Sequence, residues 1–201
     1  MEYTQIIRQS SPFDIFNKWF IQAQKKESVY PNAMTLATVN SQGRPSARIV
    51  LLKDFDQYGF IFFTNYNSRK SLDIIQNNYG ALCLYWKTIK KSVRIEGKIK
   101  KVADSQSDQY FVTRARESKI GAWASKQSNI MDKYSDLEER ILYFKNKFQF
   151  IQVPRPKYWG GYRLFPDKIE FLSEKKFRLH KRICFTYNEE TKKWKLERLF
   201  P

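Results

Sequence analysis

Histidine and cysteine are scarce in this chain of 201 residues, which holds one histidine, His180, and two cysteines, Cys83 and Cys184. A single imidazole with no paired Cys–His spacing leaves little to ligate zinc, so no metal centre is expected. A Ser-His-Asp hydrolase would have to recruit His180, yet the chain has no Gly-x-Ser-x-Gly elbow. The lack of a Gly-x-Gly-x-x-Gly turn after a strand argues against a parallel dinucleotide-binding sheet. No run of about 18 apolar residues is present, so no helix is expected to span a bilayer. Met1 to Gln5 lacks the basic and apolar stretches of a secretory signal. Both cysteines sit in apolar, strand-like surroundings and are read as buried thiols in a reducing compartment, with the cytoplasm as the expected location.

Acidic residues are also in deficit. Twenty Asp and Glu against 37 Lys and Arg leave a net charge of +17. Such an excess suits an anionic ligand or partner, with nucleic acid the obvious candidate. Much of it is lysine in surface-like segments such as Lys98 to Lys101 and Lys192 to Lys195, which fits an ordinary solvated face equally well. Nucleic acid is therefore not the expected partner.

What the chain has is apolar substance, with 42% hydrophobic and 16% aromatic residues, enough for a core. No linker, repeat or composition shift divides it, so residues 1–201 are read as one domain. Ser11-Pro12 suits a helix start and Asp14 favours its dipole, while Phe13, Phe16, Trp19 and Phe20 form an apolar stripe. From Met34 the pattern becomes strands: Met34–Asn40, a turn at Ser41-Gln42-Gly43, Ala47–Lys53, a turn at Asp56 to Gly59, and Phe60–Thr64. A short helix from Ser68 precedes strands near Ala81–Trp86 and Val93–Val102. Ser105 is a candidate cap for a helix carrying Tyr110, Phe111 and Arg114. Ser135 to Glu138 has capping-box spacing before a helix reaching about Phe148. Strands return near Trp159–Leu164, Lys168–Leu172, Phe177–Thr186 and Lys195–Leu199. Tight turns between sequential strands imply a mainly β, α+β fold: an antiparallel sheet closing towards a barrel with flanking helices.

Several segments offer groups to an anion. Arg178-Leu179-His180-Lys181-Arg182 is read as strand, on which alternation puts Arg178, His180 and Arg182 on one face. Arg48 to Lys53 is a strand with a cation at each end. The odd separation turns these two to opposite sides unless a bulge intervenes. Thr64-Asn65-Tyr66-Asn67-Ser68-Arg69-Lys70 runs from strand end to helix start, as either a phosphate cradle or an ordinary cap. Tyr110, Arg114 and Ser118, spaced by four, share a face if the helix continues, facing either a ligand or solvent. Ser125 to Ser128 is a donor-rich loop, and Trp159-Gly160-Gly161-Tyr162-Arg163 suits close backbone approach. Donors outnumber bases, the pattern of an enzyme whose bound anionic cofactor carries the chemistry.

RIVLLK at Arg48–Lys53, FTNYNSRK at Phe63–Lys70, IGAWASKQS at Ile120–Ser128, WGGYR at Trp159–Arg163, RLHKR at Arg178–Arg182 and the terminal Arg198-Leu199-Phe200-Pro201 together resemble the pyridoxine 5'-phosphate oxidase family, over nearly the whole chain. The resemblance implies a homodimeric split β-barrel with FMN at the subunit interface. It implies oxidation of pyridoxine or pyridoxamine 5'-phosphate to pyridoxal 5'-phosphate, by hydride transfer from substrate C4' to flavin N5, with O2 consumed and H2O2 released. On that resemblance Arg48, Ile49, Val50, Leu51, Lys53, Phe63, Thr64, Arg69, Lys70, Ser92, Gln127, Ser128, Leu172 and Arg182 fall at FMN positions. Lys53, Tyr110, Arg114 and Ser118 match the substrate-phosphate grip. Arg178 and His180 match the catalytic pair over the pyridine ring, and Tyr3 matches a lid tyrosine in an N-terminal segment and helix over residues 1–30.

Three departures accompany the match. Ser92 stands where the family has Gln, Leu172 where it has Trp, and Lys181 where it has an acidic residue, and a lid arginine expected upstream of Tyr3 is missing. FMN is therefore expected to be held less tightly. Alternative readings are a related FMN oxidase acting on another reduced ring, as in phenazine pathways, or a non-catalytic flavin or pyridoxal-phosphate binder. Retention of Lys53, Tyr110, Arg114 and Ser118 argues against a substrate without phosphate.

Overall fold

The computed structural model describes residues 11–201. Its first helix, α1 (Pro12–Lys26), starts as the sequence predicts. The Ser11 hydroxyl accepts from the Phe13 amide at 3.2 Å, and the Asp14 carboxylate accepts from the Ser11 amide at 3.1 Å. Two amides that no helical carbonyl can reach are thereby satisfied. The apolar stripe then turns inward and Phe16 is fully buried, its ring against Phe20, Phe55, Phe60 and Trp86.

Nine antiparallel strands form one sheet: β1 (Ala33–Val39), β2 (Pro45–Leu51), β3 (Asp54–Asp56), β4 (Gly59–Asn65), β5 (Tyr79–Trp86), β6 (Lys91–Lys101), β7 (Trp159–Ser173), β8 (Lys181–Asn188) and β9 (Lys193–Leu199). Their order is β2-β1-β5-β6-β7-β4-β3, with β8 on β7 and β9 on β8. The turn at Gly43, with φ of 76°, links β1 to β2 as expected.

The strands expected near Trp159–Leu164 and Lys168–Leu172 are one strand of 15 residues, β7, and its length makes the split. β6 pairs along nearly all of it. On the other edge, Trp159 to Leu164 pair with β4, whereas Lys168 to Ser173 pair with β8. The change of partner falls at Pro166, which has no N–H to give a ladder, and the β6 register shifts there between Glu96 and Gly97. A Cβ on Gly97 would lie 2.0 Å from the Phe165 carbonyl oxygen, so glycine is required for the strands to pass.

Helices α2 (Arg69–Gln76), α3 (Asp104–Thr113), α4 (Arg116–Ala124) and α5 (Tyr134–Lys147) flank the sheet. Two starts differ from expectation. Ala103, not Ser105, precedes α3, and α5 begins at Tyr134, with Asp136 accepting from the Lys133 amide in place of the Ser135–Glu138 box. A small apolar cluster of Ile120, Ala124, Phe144, Phe148 and Val153 joins α4 to α5, apart from the main core.

The buried-thiol expectation holds for Cys184 and fails for Cys83, which is exposed. In β5 the alternate positions Leu82, Leu84 and Trp86 occupy the core, so Cys83 takes the outer face. No helix among the described residues is long and apolar enough to cross a membrane. Truncating the ring at the centre of the core, Phe16→Ala, is expected to cost about 3–5 kcal/mol in a urea unfolding titration. A loss below about 1 kcal/mol would show that this aromatic cluster does not hold α1 to the sheet.

Candidate functional site

Of the residues predicted to grip an anion, Lys53, Thr64, Lys70, Tyr110, Arg114, Ser118 and Gln127 converge on one cavity of about 660 Å³ between β2, β4, α3 and α4. Its apolar side is Ile49, Val50 and Leu51 of β2 with Phe63 of β4. Lys53, just past the end of β2, has its amide bonded to the Ile61 carbonyl at 2.9 Å. Its ammonium lies 5.7 Å from the Tyr110 ring centre. Among the described residues no carboxylate lines the cavity, while Lys53, Lys70 and Arg114 all do.

Tyr110, Arg114 and Ser118 meet there without a continuous helix. α3 stops at Thr113, and Arg114 (ψ 147°) and Ala115 (ψ 146°) are extended before α4 begins at Arg116. The break leaves all three residues lining the cavity. The rings of Phe63, Tyr110 and Trp159 form a mutually stacked triangle, with centroids 4.0 Å apart for Phe63 and Tyr110, 5.5 Å for Phe63 and Trp159, and 6.1 Å for Tyr110 and Trp159. The Arg114 guanidinium sits 4.5 Å from the Trp159 ring centre, yet its buried Nη1 has no hydrogen-bond partner among the described residues. Burial pushes the Arg114 guanidinium below its ordinary pKa, with Tyr110 opposing. Trp159 and the Gly160–Gly161 pair are there for closeness: a Cβ on Gly160 would fall 2.2 Å from the Tyr66 hydroxyl, and one on Gly161 would fall 2.8 Å from Phe63. The WGGYR reading of close backbone approach is thus met.

Lys70, in the first turn of α2, is 8% exposed and carries the second group of donors. Its ammonium donates to Ser68 Oγ at 3.0 Å, Gln127 Oε1 at 3.0 Å and Thr64 Oγ1 at 3.2 Å. All three acceptors are neutral. Burial, and then the charge of Arg48, push the Lys70 ammonium down to about 8 from an ordinary 10.5. Arg69 is exposed, and its charge bears on Arg48. Arg48 does not line the cavity that Lys53 lines, and Lys53 stands beyond the end of β2, outside the alternation of that strand. Arg48 donates to Thr38 Oγ1 at 2.7 Å and to the Leu36 carbonyl, and pairs with Asp73 at 3.6 Å. Gln127 lines the cavity, whereas Ser128, with φ of 73°, lines an adjoining one.

A second group does not reach this cavity. Ser92 of β6 pairs with Leu172 of β7, and Leu172 with Arg182 of β8, forming one row across three strands. Arg182 donates through Nε to Glu170 at 2.8 Å and through Nη1 to the Phe200 carbonyl at 2.9 Å. Arg94 takes the other oxygen of Glu170 at 2.9 Å, so this buried carboxylate is held from both neighbouring strands. The expected Arg178–His180–Arg182 face on one strand is not formed. β8 begins only at Lys181, while Phe177 and Arg178 adopt left-handed backbone (φ 59° and 60°) in a 3-10 turn, Lys176–Arg178. His180 and Arg182 instead line a separate cavity of about 610 Å³ with Trp19 and Arg198. Tyr3 lies outside the described residues.

Asp73 and Glu170 were not foreseen as anchors of site cations. Asp73, three and four residues beyond Lys70 and Arg69, carried a helical-spacing signal. Glu170 carried only its alternation with Leu172.

The forked sheet and its helices define a split-barrel protein, and solved structures share that shape. A PhzG protein from Burkholderia lata 383, determined in complex with tetrahydrophenazine-1-carboxylic acid, superposes with a TM-score of 0.90 at 28% identity, over 96% of this chain and 93% of that one. A pyridoxamine 5'-phosphate oxidase-related, FMN binding protein from Nostoc punctiforme PCC 73102 gives 0.74 at 16% identity, over 96% and 100%, a likeness of fold. Residues 21–145 match the family described as Pyridoxamine 5'-phosphate oxidase, and residues 159–201 match the Pyridoxine 5'-phosphate oxidase C-terminal dimerisation region. The pyridoxine/pyridoxamine 5'-phosphate oxidases of Gloeothece citriformis (strain PCC 7424) and Acaryochloris marina (strain MBIC 11017) are 47% and 48% identical, over 95% and 96% of this chain and 89% and 87% of theirs. The chain belongs to the pyridoxamine 5'-phosphate oxidase family, and it is an oxidoreductase.

The state of Lys70 sets a pH dependence. Its pKa is lower folded than unfolded, so between about 8 and 10.5 the unfolded chain binds more protons and stability rises with pH. The stability difference between wild type and Lys70→Met is expected to climb across that window in urea titrations without anion, and to be flat below it. Affinity for inorganic phosphate should fall as pH passes upward through about 8. A pH-independent difference would place Lys70 in ordinary solvent.

Proposed function

We propose that this chain is an FMN-dependent oxidase that converts pyridoxine 5'-phosphate and pyridoxamine 5'-phosphate to pyridoxal 5'-phosphate. The observation that carries the reading is one cavity with two groups of anion donors and no carboxylate. A buried ammonium held only by neutral oxygens and a buried guanidinium nitrogen with no partner are costly unless an anion completes them. FMN fits this donor set. Lys70, Thr64 and Gln127, with Arg48 and Arg69 behind them, suit its phosphate, and Ile49 to Leu51 suit the edge of its ring. Lys53, Tyr110, Arg114 and Ser118 suit the phosphate of the substrate. When bound, FMN accepts the hydride from the substrate's C4' and is reoxidised by O2 with release of H2O2.

The chain's own residues then bind, orient and shield. The two phosphate grips would hold cofactor and substrate beside each other in one cavity, which would remove much of the entropic barrier to transfer. Phe63, Tyr110 and Trp159 close one side against water and hold the Arg114 plane. Arg178, exposed on its turn, is the group that donates to the substrate as hydride leaves. The row Ser92–Leu172–Arg182 and the pair Arg178 and His180 belong to the same site through a homodimer, in which a second copy brings them to this cavity. The C-terminal dimerisation match supports that arrangement. The PhzG likeness favours an oxidase of another reduced ring as the second reading. The phosphate grip of Lys53, Tyr110, Arg114 and Ser118 favours the first.

Anaerobic mixing of FMN-loaded protein with pyridoxine 5'-phosphate is expected to bleach the visible flavin absorption, and air to restore it with pyridoxal 5'-phosphate formed. Binding of FMN without bleaching would overturn the substrate or the activity. Arg178→Ala is expected to lower turnover by a factor on the order of 10² while FMN content stays near wild type, and equal loss of both would refute that division of roles. With Ser92 and Leu172 in place of longer groups, protein as isolated is expected to carry less than one FMN per chain and to lose more on dialysis. Full, dialysis-resistant occupancy would contradict this.

A further inference from the structure

We propose that His180 acts as a hydrogen-bond donor through Nε2, and that the turn preceding it fixes this role. The inference deepens the function proposed above and rests on it for the identity of the acceptor. The turn spans residues 174–180, between the last residue of β7 and the first of β8, Ser173 and Lys181, which pair directly. Its first amide, Glu174, donates to the Lys90 carbonyl at 3.0 Å in the β5–β6 turn, which anchors the loop to its neighbour. Phe177 and Arg178 both take left-handed backbone, a conformation that neither residue type favours and that the surrounding contacts must enforce. That reversal brings the Leu179 amide to the Lys176 carbonyl at 3.2 Å and the His180 amide to the Arg178 carbonyl at 2.8 Å. It also brings the imidazole back over the start of the loop, where the Lys175 amide donates to His180 Nδ1 at 3.1 Å.

A ring nitrogen that accepts a hydrogen bond keeps its lone pair. In the neutral imidazole the proton therefore resides on Nε2, and the free end of the ring is an N–H. Among the described residues, the cavity that His180 lines has Lys181, Arg182 and Arg198 and no carboxylate, so these residues supply this N–H with no acidic partner there. A ligand oxygen is the fitting acceptor, and the substrate's phenolic oxygen is of that chemistry. While the Lys175 contact holds, Nε2 has no lone pair with which to remove a proton. His180 is a donor that orients the ring and stabilises charge on it, and it is not the base of the reaction.

With one histidine in the chain, a tag-free sample labelled with 15N-histidine gives a single set of ring nitrogen signals. In the FMN-loaded protein, long-range 1H–15N correlation at a pH where the ring is neutral is expected to show one tautomer, protonated at Nε2. The Nδ1–H form, or the mixture that free imidazole shows, would overturn the proposal whatever the substrate is. The second measurement is affinity for pyridoxal 5'-phosphate. His180→Ala is expected to weaken it by about 3- to 10-fold, the worth of one hydrogen bond. His180→Gln, whose amide reaches the Nε2 position, should recover most of that loss, and His180→Asn, whose amide reaches only the Nδ1 position, should not. Equal loss in Gln and Ala would refute the donor role. A wild-type protein with the Nε2–H tautomer but no affinity for pyridoxal 5'-phosphate would overturn the proposed substrate and leave the tautomer standing.

Discussion

Keeping a cation from water is costly unless an opposite charge stands beside it, and that constraint organises this molecule. For five arginines that stand outside the lining of the candidate cavity, the chain supplies the acid. Asp73 meets Arg48, Glu170 meets Arg94 and Arg182, Asp56 meets Arg163, and Asp104 and Asp108 meet Arg155. Around the 660 Å³ cavity it withholds them. Lys70 is left with hydroxyl and amide oxygens, and Arg114 with aromatic faces and one orphaned nitrogen. The same chain that pairs these five arginines outside the cavity with acids has placed no carboxylate, among the described residues, on the cavity lining. An anion is the missing member of the arrangement, and the net charge of +17 is in part the consequence.

The sheet explains why the site comes in two pieces. β7 must serve three partners, β6 along one edge and β4 then β8 along the other, so its two halves belong to different sections of the barrel. The first half, through Trp159 to Gly161, stands behind Phe63, Arg114 and the cavity. The second half carries Glu170 and Leu172 out to the row that ends in Arg182. One strand thus fixes the geometry of both pieces, and Gly97 and Pro166 mark where one gives way to the other.

Much of this was legible in the sequence, and the failures have physical reasons. Strand positions followed alternation and turn residues, and the cap at Ser11 followed from side-chain chemistry. Tyr110, Arg114 and Ser118 were brought together by their spacing of four, although the helix expected to do it is broken. Nothing in Thr113-Arg114-Ala115-Arg116 signals a break, since neither proline nor glycine is present, and in the fold the extended pair sets the Arg114 guanidinium against the Trp159 ring. The Phe177–Arg178 reversal was illegible for a similar reason, because left-handed backbone without glycine or asparagine carries no local mark. Cys83 was misplaced by composition when phase decided it: Leu82, Leu84 and Trp86 had already claimed the core. The resemblance named FMN and the roles, and residue chemistry alone reached only anion cradles.

Of the three departures from the family pattern, two are not independent. Ser92 and Leu172 are cross-strand partners in register, and Arg182 is the next residue in the same row. On the resemblance, a shorter side chain at one position and the loss of an aromatic ring at the other therefore fall side by side, on the face where Arg182 is held by Glu170 and the Phe200 carbonyl. Changes in contact do not add, because each alters what the other would have touched. Arg182 has its own anchors in this fold, Glu170 and the Phe200 carbonyl. Lys181, on the opposite phase of β8 and exposed, has no part in the row. The two neighbouring departures thus bear on apolar and hydrogen-bonding contact beside Arg182, while the ion pair of Arg182 with Glu170 is present in this fold.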